Sequence, residues 1–457
     1  MSTVTKTSAE SEFHWECQPA AAAVVLQLVD DFCGSSPTAL RLKEKLLRET
    51  GTRFADWVDH FTLPRNQFDR DALATAGFDF TTVEGVPVAE HTGGMFPLMR
   101  LDGERFGLGI KVESVSDYLN TGGLKETPVD GQPWSRLRTA SIARENDVEL
   151  SIVERHGYRG FTTQKLTADE ADAVLRHQEA FACRQRRFAN EADAFDHAAE
   201  LATAAKADLG SDRACDIFFH AEREYWMTRN RAGRLQRARQ DALGLGWGNH
   251  DHHTYRSSRE NFQRLVVFLE SLGMHCRERF YAGVEAGWGA QVMEQTACQV
   301  MVFADVDLSP EEVAGDFAHS QLPPRDHLGT VGLWCALHGE AVLQAGMHHL
   351  EAQFDFEGAR EQLARDGVKS MDPFTNFPFL RQSFTQGEIW PVEPKRLAAA
   401  LAAGYITEKQ AEQFARQGAI GSHMEVLERN DGYKGFNQTG ISQIIRRTDP
   451  RAQAMSA

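Results

Sequence analysis

No stretch of this 457-residue chain approaches the roughly 18 consecutive apolar residues of a membrane-spanning helix, so no membrane partner is expected. Positive charge is in short supply. Lys and Arg number 49 against 65 Asp and Glu, a formal net charge of −16, and a chain that neutralises nucleic-acid phosphates needs a basic face. Cysteine is sparse and unpatterned: Cys17, Cys33, Cys183, Cys215, Cys276, Cys298 and Cys335 include no Cys-x-x-Cys pair. That spacing argues against a disulfide frame and a thiolate zinc site, and fits reduced thiols in a cytoplasm. Residues 1–18 are polar and acidic, without the basic start and apolar core of a signal peptide. At 42% hydrophobic and 25% charged residues the composition is that of a soluble globular protein. Histidine, at 17 residues, is the richer supply of metal ligands.

Apolar periodicity divides the chain into five parts. Residues 1–50 read as a helical segment, with Val24, Leu26, Leu28, Val29 and Phe32 before a Gly-Ser-Ser-Pro break and Leu40, Leu42, Leu46 and Leu47 after it. Residues 51–165 carry short strand-like runs, among them 57–61, 106–112 and 148–153. Residues 166–245, rich in Ala, Glu, Arg and Asp, read as a helical linker whose Phe218, Phe219, Tyr225 and Trp226 pack against a sheet. Residues 246–447 return to strands alternating with helices and include an Ala-rich helical insertion at 394–417. Residues 448–457 read as a flexible tail.

The two β-rich parts repeat one another. Val153-Glu154-Arg155-His156-Gly157-Tyr158-Arg159-Gly160-Phe161 matches Leu427-Glu428-Arg429-Asn430-Asp431-Gly432-Tyr433-Lys434-Gly435-Phe436, with one residue inserted. Val58-Asp59-His60-Phe61-Thr62 opens the first part as His250-Asp251-His252-His253-Thr254 opens the second, and Gly109 to Glu113 aligns with Met347 to Glu351. The fold class expected is therefore α+β, with duplicated β-α-β-β units joined by helices. Glu154-Arg155 and Glu428-Arg429 occur in both copies, which predicts a shared structural role. Residues peculiar to the second copy are the candidates for chemistry: Arg256 where the first has Pro64, His349 against Lys111, and Glu425 against Ser151.

A mononuclear iron(II) site commonly uses two imidazoles and one carboxylate on one face of the ion. His252, His349 and Glu425 sit on three predicted strands of the second copy, with His250, His253, His348 and His423 close by. Period-2 alternation lets only one of His252 and His253, and one of His348 and His349, face a common interior. His319, His327 and His338 read as surface or loop residues. Arg256 shares the parity of His252 and would present a guanidinium to a substrate carboxylate. Arg381, Gln382 and Ser383 read as a second polar wall.

These residues carry a resemblance. Asp251-His252-His253-Thr254-Tyr255-Arg256 resembles the Asp-His-x-x-aromatic-Arg motif of the 2-oxoadipate dioxygenase/decarboxylase (D-2-hydroxyglutarate synthase) family. His348-His349-Leu350 is similar to that family's Asn-His-hydrophobic strand, 379–384 to its Leu-Leu-Arg-Gln-Thr-Ser-Phe stretch, and 424–429 to its Ile-Glu-aromatic-x-Glu-Arg strand. The resemblance spans about Gly248 to Arg429. It implies a vicinal-oxygen-chelate-like fold and one Fe(II) on His252, His349 and Glu425. It further implies Arg256 on a substrate carboxylate, and conversion of a 2-oxo acid with O₂ to CO₂ and a 2-hydroxy acid one carbon shorter. Two departures, His348 for Asn and the insertion at 394–417, bear on which oxo acid is taken. Other metal chemistries of the same fold remain alternatives: extradiol ring cleavage, or a Zn²⁺, Ni²⁺ or Mn²⁺ lyase, isomerase or thiol transferase. A binding protein without turnover is a further one. Two-copy folds of this kind often form homodimers, but no stretch signals an interface.

Overall fold

Strands at both ends of the chain curl into two separate sheets, with four helices between them. The computed structural model describes residues 15–65, 67–437 and 448–453. The first sheet holds β1 (Val58–Pro64), β2 (Asp79–Val83), β3 (Val86–Glu90), β4 (Leu98–Gly103), β5 (Phe106–Val112), β6 (Leu137–Glu145) and β7 (Val148–Arg155), ordered β2-β3-β4-β1-β5-β7-β6. The second sheet holds β8 (His250–Arg256), β9 (His275–Tyr281), β10 (Trp288–Gln295), β11 (Val300–Asp307), β12 (His349–Gln353), β13 (Thr375–Phe377) and β14 (Leu380–Phe384). After the small ribbon of β15 (Ile389–Trp390) and β16 (Ala419–Ile420), β17 (His423–Arg429) completes it in the order β13-β14-β17-β12-β8-β11-β10-β9.

The α+β class and the duplication read from the sequence are present, and the duplication goes one level deeper. Each sheet is itself two β-α-β-β-rich halves joined at an antiparallel seam, β1 against β5 and β8 against β12. Within each half the first and last strands run parallel, as in β1 with β4 and β12 with β17. Among the described residues the first sheet lacks one strand of its second half. Both seams carry the same one-residue irregularity: Val58 pairs with Ile110 but His60 with Gly109, while His250 pairs with Ala352 but His252 with Glu351. The extra residue is Asp59 in one copy and Asp251 in the other, as a β-bulge inserts one residue and re-aims its neighbours.

The shared Glu-Arg pairs have matching structural roles. Glu154 accepts from the backbone N–H of Val115 and Glu428 from that of Phe356, each at the start of the helix following the seam strand. Arg155 clasps Asp59 and donates to the carbonyls of Tyr158 and Gly160. Arg429 clasps Asp251 and donates to those of Tyr433 and Gly435.

The four linker helices (Ala168–Ala182, Glu191–Leu209, Ser211–Met227 and Arg231–Asp241) cover one face of the second sheet. Phe218, Phe219 and Trp226 are buried there, and Phe219 lies 5.2 Å from the His253 ring and 6.2 Å from Tyr255. The amino-terminal segment forms two helices, Pro19–Ser35 and Pro37–Thr50, ended by Gly51 at φ 66°. A Cβ at Gly51 would meet the Ala359 backbone at 2.8 Å, so glycine serves both the left-handed turn and the close approach. Pro394–Ala402 and Glu408–Gln417 are the two helices of the insertion. Residues 454–457 of the expected tail lie outside the described residues; 450–453 are helical. Among the described residues no helix is long and apolar enough to cross a membrane.

Candidate metal centre

The odd residues of β8, His253 and Tyr255, turn to the linker helices, which leaves His252, Thr254 and Arg256 on the opposite face. Register then decides what His252 meets. Glu351 of β12 stands across from His252 on one side and from Glu425 of β17 on the other. One donor atom from each of these three buried residues lies within 4.8 Å of the other two, and His252 Nε2 is 3.6 Å from Glu351 Oε1.

Each of the three candidate ligands is held from behind. His252 Nδ1 bonds Asp251 Oδ1 at 2.7 Å, and Arg429 holds both oxygens of Asp251 at 2.8 and 3.0 Å. Burial opposes charge on Asp251, but Arg429 and the His252 bond outweigh it and keep the carboxylate ionised. The result fixes the imidazole tautomer that leaves Nε2 free to ligate. Thr254 donates to Glu351 at 2.8 Å, and Gln382 to Glu425 at 2.7 Å. Asp251→Asn is expected to weaken metal binding by about 10–100-fold, the usual cost of losing such a supporting group; metal titration of purified variants checks it.

The cluster calls for a cation. Burial pushes the Glu425 carboxyl up to about 8, with Asp251 adding to the rise. Burial, and then the nearness of Glu425, lifts Glu351 well above the carboxylate range. Glu351 Oε2 has no hydrogen-bond partner among the described residues. Two dry carboxyls and an imidazole, with Arg429 already committed to Asp251, fit a divalent ion. Phe303 and Phe436, 4.4 Å apart and each 5.0 Å from the His252 ring, wall the cluster with apolar surface.

The other sequence candidates lie around or outside this cluster. His349 is on the Glu351 face of β12 but across from Thr254 and His423. Its Nε2 bonds His348 Nδ1 at 2.7 Å, its ring stacks on Phe384 at 4.5 Å, and it is outside the three-residue cluster. Arg381 points away from the site to Asn376 and Glu357, over the Phe356 ring. Ser383 is buried on the alternate side of β14 from Gln382. Arg256 is buried on the site's face. His338, expected at the surface, is buried, bonds the Ile420 carbonyl and packs between Trp334 and Trp390, because the insertion covers it.

In the first copy the three positions corresponding to the candidate ligands hold His60, Gly109 and Ser151. The counterpart of Glu351 is thus Gly109, and Lys111 corresponds to Gln353 rather than to His349. A Cβ at Gly109 would sit 2.8 Å from both His60 Cε1 and Val153 Cγ2, so the imidazole itself fills the space. Gly109→Ala is expected to cost about 1–3 kcal/mol of stability by overpacking and to leave metal content unchanged, as denaturant melts and metal analysis would show.

No protein-family model matches the chain, and no curated protein matches it in sequence. Solved structures with a similar course include a putative hydrolase from Shewanella frigidimarina (15% identity, covering 47% of this chain and 92% of that one, TM-score 0.33). Another is a mutant 4-hydroxymandelate synthase from Streptomyces coelicolor (12%, 88% and 98%, TM-score 0.29). A third is methylmalonyl-CoA epimerase from Mycobacterium tuberculosis (11%, 40% and 88%, TM-score 0.23). All three TM-scores are low, and the chemistry of the site rests on this chain's own residues.

Proposed function

We propose that the second sheet holds one Fe(II) on His252, Glu351 and Glu425 and works as a non-haem iron dioxygenase that decarboxylates a 2-oxo acid. The observation that carries this reading is the meeting of three buried donor atoms, with no Lys or Arg among the described residues in ion-pair contact with either carboxyl and Arg429, the nearby cation, engaged by Asp251. A 2-oxoadipate-like acid with O₂ would give CO₂ and a D-2-hydroxyglutarate-like acid, which balances: both oxygens of O₂ end in the two products. Bound iron would supply coordination sites for the oxo acid and for dioxygen.

The chain's residues do the rest. Asp251 holds the His252 tautomer, Gln382 orients Glu425, and Thr254 orients Glu351. Phe303 and Phe436 exclude water from the ligand face. Arg256 pairs a substrate carboxylate. His349, the second imidazole implied by the resemblance, stands one pair further along the same strand face. The donor set itself favours a second reading. Two carboxylates, Glu351 and Glu425, also suit harder divalent ions and non-redox lyase or isomerase chemistry. Anaerobic reconstitution with Fe(II), followed by a screen of 2-oxo acids, separates the two. Stoichiometric O₂ uptake and CO₂ release are expected; turnover without O₂ uptake, or with Mn²⁺ alone, would select the second.

A further inference from the structure

The ligand face continues beyond the metal cluster to a pair of buried, oppositely charged side-chain types. Arg256 on β8 lies across from Asp305 on β11, in parallel register. Each is 2% exposed. Nε and Nη1 of Arg256 donate to nothing among the described residues, and Oδ1 of Asp305 accepts from nothing. The acids around them are already engaged. Asp307 caps a helix through the backbone N–H groups of Gly329, Val331 and Gly332. Glu340 takes Ser257, the Ser258 N–H and Asn261. A dry guanidinium with idle donors beside a dry carboxyl with an idle oxygen is costly, unless a ligand completes both.

We propose that Asp305 is a specificity-determining residue of this site. With Arg256 it forms a two-sided receptor for a substrate carboxylate, one oxygen accepting from the guanidinium and the other from the Asp305 O–H. The proposal rests on the reading of this face as an oxo-acid site. Burial supports the donor role: it raises the Asp305 carboxyl to about 8 against the pull of Arg256, so the group holds its proton at neutrality. An ionised aspartate here would repel the same ligand, so the protonation state sets which acids are admitted. The feature is peculiar to the second copy, where Arg256 replaces Pro64.

The test uses the full chain under anaerobic Fe(II), with binding read by calorimetry. The probes are 2-oxoglutarate and 2-oxopentanoate, equal in length and differing in the second carboxylate. Wild type is expected to prefer the diacid at least about 100-fold, the scale of two charge-assisted bonds. Asp305→Ala should lower that preference about tenfold, to what Arg256 alone supplies, while Asp305→Asn, which keeps an N–H donor, holds it near wild type. Metal content should match in all three, showing that the fold and the cluster survive. The proposal is overturned by an unchanged preference in Asp305→Ala or by no preference in wild type. A tenfold gain for the diacid in Asp305→Asn overturns it too, since that would show a repelling anion had been removed. A wild-type chain that prefers the diacid yet binds no metal keeps the receptor and defeats the metal reading instead.

Discussion

Glu425→Gln is expected to strip the metal from the purified protein while leaving its fold intact. The substitution keeps the side chain's volume and its bond partner Gln382, so the buried strand is not reshaped. It removes one of the charged donors that an ion needs, and a ligand should cost more than the about 10–100-fold typical of its supporting groups. His252→Ala should do the same. Glu351→Gln should follow them, because register places Glu351 directly between the other two, whereas His349→Gln should have a much smaller effect. Ser151→Ala, at the corresponding place in the first copy, should change nothing. Metal analysis after dialysis, with circular dichroism on each variant, reads all five. Retention by Glu425→Gln would remove the centre altogether. Retention by Glu351→Gln together with loss by His349→Gln would restore the donor set implied by the resemblance.

The contrast between Glu351 and His349 shows where sequence patterning stops. Strands β8, β12 and β17 are legible because His-dense, strand-like runs recur at matching places in a repeated chain, and two of the clustered candidate ligands, His252 and Glu425, stand out there. The partner across the seam is not legible. A one-residue bulge at Asp251 changes which residue of β12 faces His252, and a bulge leaves no signature in apolar periodicity. The bulge is common to both copies and does not shift one against the other; aligning Gly109 with Met347, four residues short of its counterpart Glu351, is what sets His349 against Lys111 and lets Glu351 pass for an ordinary strand residue. Arg381 misleads for a related reason: next to Gln382 on β14, it must point to the opposite face. Strand β9, His275–Tyr281, is silent in the sequence, since its mostly polar, half-exposed residues give no apolar alternation. His338 reads as a surface residue because burial by an insertion distant in sequence is a tertiary fact.

In metal-free protein the stability of wild type relative to Glu425→Gln is expected to fall as pH rises from about 5 to 8, a difference in which the opposing contribution of the buried histidines cancels, and bound metal should reverse that trend. A free glutamate ionises near 4.3 in an unfolded chain, whereas burial raises Glu425 in the folded chain to about 8, and Glu351 is raised as well. Between those values the folded state binds more protons than the unfolded one. Its stability advantage is complete below the unfolded value and is lost as pH climbs through the folded one. Asp251 works in the opposite sense, because Arg429 holds its carboxyl low after burial is overcome; its contribution disappears only on acidification below the usual aspartate range. The two slopes therefore occupy separate windows. A divalent ion competes with the protons on Glu351 and Glu425, so its affinity should strengthen over the interval in which these two carboxyls come to weaken the apo protein. At pH 8 the same logic makes Glu425→Gln more stable than wild type in chelator and less stable in saturating metal. Thermal melts at pH 5, 6.5 and 8, with chelator or with metal, read this sign change. A difference between wild type and Glu425→Gln that does not change with pH in chelator, or a Glu425→Gln chain less stable than wild type in chelator at pH 8, would mean that the two carboxyls are not confronting each other in a dry site.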